Sequence, residues 1–334
     1  MKNSEISYDI TVLFNKYKIG NIIGEPKSIS GGLMHKMFKV KTETNIYAVK
    51  WLNPAVMQRN GVMDNMINSE RIANVFSKYL PVVSALNIDN HNVLHSNNKY
   101  YLIFGWIEGN SIFPPLVIKK HCYAIGSLLG RMHHLDITVP GVKKDNSESI
   151  LYDWNGFMVK GKEQKAYWID TYAGIIDKLF YWNNLNNEAN RRLSEDMVIS
   201  HRDLDPKNVM WHKDKPYFID WEAAGYINPH QELLEVLNYW TNDGSGELDR
   251  ENFNTLLNAY KEHMSITEVD WDDVLNCGYG GMLGWLEYSL KRALGIESTD
   301  KEEMALGAEQ VIGTIKELER YDSQMKILRK WLYS

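Results

Sequence analysis

The spacing of apolar residues changes character once along this 334-residue chain, near residue 105, and that change limits the folds open to it. Before it come short runs rich in aromatic and β-branched residues. Met37-Phe38-Lys39-Val40-Lys41 and Ile46-Tyr47-Ala48-Val49-Lys50-Trp51 read as strands, and the polar Thr42-Glu43-Thr44-Asn45 between them makes the pair a hairpin. Residues 82–88 and 99–106 read as two further strands. Residues 63–79 carry apolar side chains at helical spacing, and Pro81 marks the end of that helix. Gly105-Trp106-Ile107-Glu108-Gly109, followed by Pro114-Pro115, breaks the pattern. Beyond it, residues 116–135, 165–182, 230–241, 248–263, 274–294 and 301–331 are spaced as helices. Two short apolar stretches, 197–200 and 216–219, interrupt them. The expectation is an α+β, two-lobed chain: a small β-rich N-terminal lobe over 1–104, a hinge over 105–109, and a larger, mainly helical C-terminal lobe over 110–334.

Composition excludes several classes. Thirty-seven basic against 43 acidic residues leave a net charge of −6, with no electrostatic footprint for nucleic acid or anionic lipid. No apolar run approaches the roughly 18 residues of a membrane span. Cys122 and Cys277 are far apart and form no disulfide framework. Residues 1–10 lack the charged-then-apolar order of a signal peptide. Together these point to a reducing, cytoplasmic setting. The sequence carries no sign of oligomeric state. The 11 Trp, 19 Tyr and 9 Phe are the compositional oddity, and most fall after residue 100.

The densest chemical signal is Ile199-Ser200-His201-Arg202-Asp203-Leu204-Asp205-Pro206-Lys207-Asn208-Val209, a strand-like run ending in a polar loop. A second short strand then leads to Ile219-Asp220-Trp221-Glu222. Phosphoryl transfer needs such a set: one carboxylate to orient the attacking hydroxyl and take its proton, and an amide oxygen with a second carboxylate to hold Mg²⁺.

His201-Arg202-Asp203 with Asn208 and Asp220 resembles the catalytic and metal loops of the protein-kinase-like superfamily. The closer likeness is to its small-molecule branch, the aminoglycoside phosphotransferases and choline kinase relatives. Tyr47-Ala48-Val49-Lys50 resembles the strand of the phosphate-binding lysine, and Glu70 stands where the carboxylate partner of that lysine is expected. Ser30, Gly31 and Gly32 take the place of the nucleotide loop. Residues 100–109 resemble the last small-lobe strand and hinge, and 129–136 a helix ending of the aminoglycoside branch. The resemblance implies a protein-kinase-like fold, ATP or GTP as donor, and Mg²⁺. It implies Asp203 as catalytic base, Asn208 and Asp220 as metal ligands, and Lys50 steadied by Glu70 on the phosphates. Phe104 would be the gatekeeper, with Gly105 and Ile107 meeting the nucleotide base.

There are departures. Asp205 stands where protein kinases place a lysine, the metal loop reads Asp220-Trp221-Glu222, and helical spacing resumes near His230 with almost no room for an activation segment. A small-molecule hydroxyl acceptor is therefore favoured over a protein. Asp205, Glu222, Trp240 and Trp285 are the candidates for holding a cationic acceptor, such as an aminoglycoside or a choline-like amino alcohol, by carboxylate and aromatic faces. The rival is a kinase-like binding or scaffold protein without phosphotransfer. Other features have plainer explanations. His133-His134 cannot share an ion, because neighbours on a helix point about 100° apart. His201 is expected to hold loop backbone. The 278–284 glycines fit close helix packing, and no Walker-type loop occurs. Most aromatic residues are expected in the core.

Overall fold

The computed structural model describes residues 3–29, 35–144 and 149–334. In chain order the elements are α1 (Asn3–Lys16), β1 (Lys27–Ile29), β2 (Lys36–Lys41), β3 (Ile46–Trp51), α2 (Pro54–Met57), α3 (Val62–Phe76), β4 (Leu94–Ser96) and β5 (Lys99–Gly105). Then come α4 (Lys119–His134), α5 (Trp154–Glu163), α6 (Ile169–Ala173), α7 (Ile176–Leu193), β6 (Val198–Ser200), β7 (Val209–His212), β8 (Lys215–Phe218) and β9 (Gly225–Ile227). Helices α8 (Pro229–Thr241), α9 (Arg250–Lys261), α10 (Trp271–Cys277), α11 (Gly280–Ala293) and α12 (Lys301–Leu332) complete the chain. The chain divides into two compact units: residues 1–143 with 198–226 and 236–264, and residues 144–197 with 227–235 and 265–334.

The first unit is built on a five-stranded sheet of order β1-β2-β3-β5-β4, antiparallel throughout. The expected hairpin forms as β2 and β3, with Val40 opposite Tyr47 and Met37 opposite Lys50. Alternation along β3 sends Tyr47, Val49 and Trp51 into one hydrophobic cluster with Phe38, Val40, Tyr101 and Ile103. Helix α1 closes that cluster with Ile6, Ile10, Leu13 and Phe14. Asp9, on the same helix, pairs with Lys99 and accepts a hydrogen bond from Asn97 Nδ2 at 2.9 Å. The other face of the sheet is left to Ala48, Lys50, Leu102 and Phe104.

Residues 82–88 are not the strand that their composition suggests. They run extended, but their hydrogen bonds go to scattered partners rather than one ladder. Val83 N donates to Phe218 O at 2.9 Å, Leu86 N to Ile103 O at 2.7 Å, and Ala85 N to the Glu70 carboxylate at 2.7 Å. Two of these bonds tie the segment to sheet and helix, and the third ties it to β8.

Helices α4 and α9 pack closely in the same unit. A Cβ on Gly126 or Gly130 would run into the carbonyl oxygens of Leu256 or Tyr260, so glycine sets the approach. His133 spans the joint: Nδ1 pairs with Tyr260 Oη at 2.9 Å and Nε2 with Ser200 Oγ at 3.2 Å. This histidine is structural, and it anchors β6 just ahead of the catalytic-type loop.

The second unit is helical. Trp182 on α7 stacks on Tyr279 at 5.3 Å, and both donate to Asp322 Oδ1 on α12. The single helix read over 165–182 is two, α6 and α7, and α5 precedes them. The helix read over 274–294 is likewise broken into α10 and α11 at Gly278-Tyr279, where Tyr321 Oη donates to Leu275 O at 2.7 Å.

Candidate active site

All the residues that converge on the polar centre belong to the first unit. Lys50 Nζ lies 2.9 Å from Asp220 Oδ1 and also bonds Glu222. The lysine is 7 % exposed, so its charge must be paired to be tolerated. Burial pulls its pKa down, and the two carboxylates outweigh burial and hold the ammonium above its ordinary value. On Glu222 burial again opposes the charge, but His35 and Lys50 prevail and hold its carboxyl down at about 2. His35 Nε2 stands 3.6 Å from Glu222, while Nδ1 accepts the Asn53 N–H at 3.0 Å. With Nδ1 used as acceptor, the proton of the neutral ring sits on Nε2, facing the carboxylate.

Glu70 does not close on the lysine as the sequence led us to expect. Its Oε2 accepts the Ala85 N–H at 2.7 Å, and it is 3 % exposed. Burial pushes its carboxyl up to about 7, with the Ala85 bond and Lys50 drawing it back. The two acidic side chains at the end of β8 reach the ammonium and the helix carboxylate does not. Glu222, expected beside an acceptor, has its carboxylate on Lys50 and His35.

The loop that carries Asp203 is pinned by backbone and side chain alike. His201 Nε2 bonds Ile219 O at 2.9 Å, and Ile219 N donates to Asn208 O at 3.0 Å. These bonds bind the 203–208 and 219–222 segments to each other. His201 does hold loop backbone, as expected. Asn208 Nδ2 donates to Asp203 O at 2.7 Å and to Asp203 Oδ2 at 2.9 Å. Lys207 Nζ approaches Asp203 Oδ1 at 3.3 Å. Burial raises the Asp203 carboxyl, against the pull of Lys207, His201 and Asn208. Arg202 (φ 65°) and Asp220 (φ 60°) both sit in the left-handed region, a cost that non-glycine residues sustain where their surroundings fix them. Trp221 supplies part of that fixation, its ring tilted against His201 at 4.6 Å and against Phe76 of α3 at 5.5 Å between centroids.

Asp205 caps the short 3₁₀ turn Pro206–Asn208, its Oδ1 accepting Lys207 N at 2.8 Å. Trp240 is fully buried and its indole N–H donates to Leu204 O at 2.8 Å. It backs the loop as a core residue and presents no face to a ligand. Trp285, 43 % exposed and 5.5 Å from Tyr288, lies in the second unit. Ser30, Gly31 and Gly32 lie outside the described residues.

Register places Ala48 opposite Phe104 and Lys50 opposite Leu102, so these four share one face of the sheet. Gly105 is exposed with open space at its α-carbon, and Ile107 is half-buried. Lys39 Nζ stands 3.9 Å over the Trp106 ring, whose Nε1 donates to Glu108 at 2.7 Å. A cavity of about 770 Å³ opens here, lined by the 41–47 turn with Gly105, Trp106 and Glu108.

The donor set suits Mg²⁺. Asn208 has its amide nitrogen committed to Asp203, which leaves its oxygen, Oδ1, for a cation. Asp220 keeps a second carboxylate oxygen beside the one on Lys50. Two hard oxygen donors suffice for an ion that retains waters. Among the described residues no group of three or more His, Cys, Asp or Glu could form a denser metal site.

A family model described as "Phosphotransferase enzyme family" matches residues 27–265. The chain belongs to the phosphotransferase enzyme family. Solved structures similar to this phosphotransferase include a spectinomycin phosphotransferase in complex with ADP and spectinomycin. They share a TM-score of 0.69 at 10 % identity, over 93 % of this chain and 98 % of that one. An ethanolamine kinase from Plasmodium vivax gives 0.60 at 16 % identity, over 93 % and 87 %. The choline kinase LicA from Streptococcus pneumoniae gives 0.58 at 15 % identity, over 93 % and 100 %. At these identities the likeness establishes the fold, a kinase-like one with a small antiparallel sheet and a larger helical part. A curated relative, a LicA homolog of Mycoplasma capricolum subsp. capricolum, is 26 % identical over 144 residues, 43 % of this chain. The chain spans about half the length of that relative, 53 %.

The residue that sequence reasoning missed is His35, the neighbour of Glu222. A lone histidine beside a glycine-rich loop gives no periodic or motif signal, and only the fold brings it to the carboxylate. No described helix is long and apolar enough to cross a membrane.

Proposed function

We propose that this chain transfers the terminal phosphoryl group of ATP to a hydroxyl of a small cationic alcohol. The observation that carries the proposal is the Asp203 carboxylate, held on one oxygen by Asn208 and on the other by Lys207, in a loop bonded to the segment that delivers Asp220 to Lys50. In this role Asp203 orients the acceptor hydroxyl and takes its proton. The raised pKa of its carboxyl makes it a better base than a fully solvated aspartate. Lys50 binds the nucleotide phosphates, kept extended and charged by Asp220 and Glu222. Asn208 and Asp220 hold Mg²⁺, which neutralises phosphate charge when bound. The sheet face carrying Ala48 and Phe104, with Gly105 and Ile107 beyond it, receives the nucleotide base.

Two features support a cationic acceptor. The solved relatives include proteins named for choline and ethanolamine, both amino alcohols, and the net charge of −6 favours a cation over an anion. An ADP-release assay with Mg²⁺ and ATP against choline, ethanolamine, aminoglycosides and neutral sugars tests this. Turnover with a cationic alcohol is expected. Turnover confined to the neutral sugars would refute the acceptor class. A Mg·ATP thermal shift without turnover on any acceptor would favour a binding protein instead.

A further inference from the structure

The catalytic-type loop holds a cation, Lys207, to which the proposed function gives only the task of holding Asp203. Protein kinases place a lysine two residues past the aspartate, and this chain has Asp205 there. One oxygen of that carboxylate is taken up in capping the 3₁₀ turn, where it accepts Lys207 N at 2.8 Å. The turn folds Lys207 back, so that its Nζ stands 3.3 Å from Asp203 Oδ1 and 3.9 Å from Asp205 Oδ2. The lysine is half exposed, with side-chain exposure of 51 %, and it spans four residues back to reach the aspartate. Asn208 holds the other carboxylate oxygen.

We propose that Lys207 is a catalytic residue whose ammonium contacts the transferring phosphoryl group, supplying from the second position after Asp205 the cation that Asp205 cannot. This rests on the phosphotransfer proposed above. In the step, the acceptor oxygen forms a bond to the terminal phosphorus, and the bond from that phosphorus to the bridging oxygen breaks. The bridging oxygen leaves with its electron pair on ADP, and the hydroxyl proton passes to Asp203. Protonation removes the anion that Lys207 holds at rest. An ammonium carries three donors and a flexible stem. As Asp203 loses its charge, Lys207 is released toward the phosphoryl oxygens. Its interaction with them therefore strengthens as the reaction proceeds, which is the condition for raising kcat rather than tightening ground-state binding.

The test uses the full chain, with the acceptor found by the ADP-release panel, and the variants Lys207→Met and Lys207→Arg. Lys207→Met should lower kcat about 100-fold, while its KM values for ATP and acceptor stay within about threefold. Lys207→Arg should recover most of that loss. Affinity for Mg²⁺ with a non-hydrolysable ATP analogue should be unchanged. Affinity for Mg·ADP with aluminium fluoride, a mimic of the phosphoryl group in flight, should fall about tenfold or more. Wild-type turnover with an unaffected Lys207→Met would overturn this proposal alone. So would a loss of kcat matched by loss of analogue affinity and melting temperature, which would mark a structural role. A wild-type protein that turns over no acceptor would overturn the phosphotransfer proposal and this one with it.

Discussion

Glu70 offers a stringent check on the electrostatics of the centre. It is buried on α3, the Ala85 amide donates to its carboxylate, and burial lifts its carboxyl from an ordinary 4.5 to about 7. A carboxyl that holds its proton more tightly when folded stabilises the fold fully below about pH 4.5, and that contribution is lost as pH rises through about 7. At about 1.4 kcal/mol per tenfold change in proton affinity, the full loss is somewhat more than about 3 kcal/mol. Glu70→Gln removes the titration, and its amide oxygen still accepts from Ala85. The stability of the variant relative to wild type should therefore improve by about 2–3 kcal/mol between pH 5 and pH 8. Urea unfolding at a series of pH values, followed by tryptophan fluorescence, measures this directly. A difference between the two proteins that does not change with pH would mean that Glu70 is not a buried carboxyl with a raised pKa. Because Lys50 is held by Asp220 and Glu222, the same variant should bind Mg·ATP within about threefold of wild type. A lysine that depended on Glu70 would lose most of that affinity.

Two further substitutions follow. Lys50→Met leaves Asp220 and Glu222 facing each other without their shared ammonium, so it should abolish the Mg·ATP thermal shift and cost about 3 kcal/mol or more in denaturant unfolding. Trp240→Phe strips the buried Leu204 carbonyl of its donor; we expect a loss of about 1–3 kcal/mol by the same measurement, and a fall in kcat as the loop loosens.

Local patterns were the legible part of the sequence. The period-2 alternation of residues 46–51 places Lys50 on the face opposite the cluster of α1, and the spacing of Asp203, Asn208 and Asp220 marks two loops that the backbone does join. The choice between carboxylates for Lys50 was not legible. Glu70, Asp220 and Glu222 carry the same group, and only tertiary distance decides that the ammonium takes the last two. Residues 82–88 misled because β-branched composition reports an extended backbone and not the number of partners along it. Residues 165–182 and 274–294 misled because helical spacing persists across two-residue breaks, at 174–175 and 278–279. Trp240 was grouped with an acceptor pocket by its position in the helical part. Its indole instead does what large rings do most often, filling core while its N–H finds a buried acceptor.

If Asp203 takes the acceptor proton, Asp203→Asn removes the base while leaving the site intact. The amide keeps the size of the side chain and can still accept a hydrogen bond from Asn208, but it cannot act as the base. Mg·ATP binding, read by thermal shift, should stay near the wild-type value while ADP release with acceptor falls by at least about 100-fold. An Asp203→Asn protein that releases ADP at the wild-type rate would contradict it.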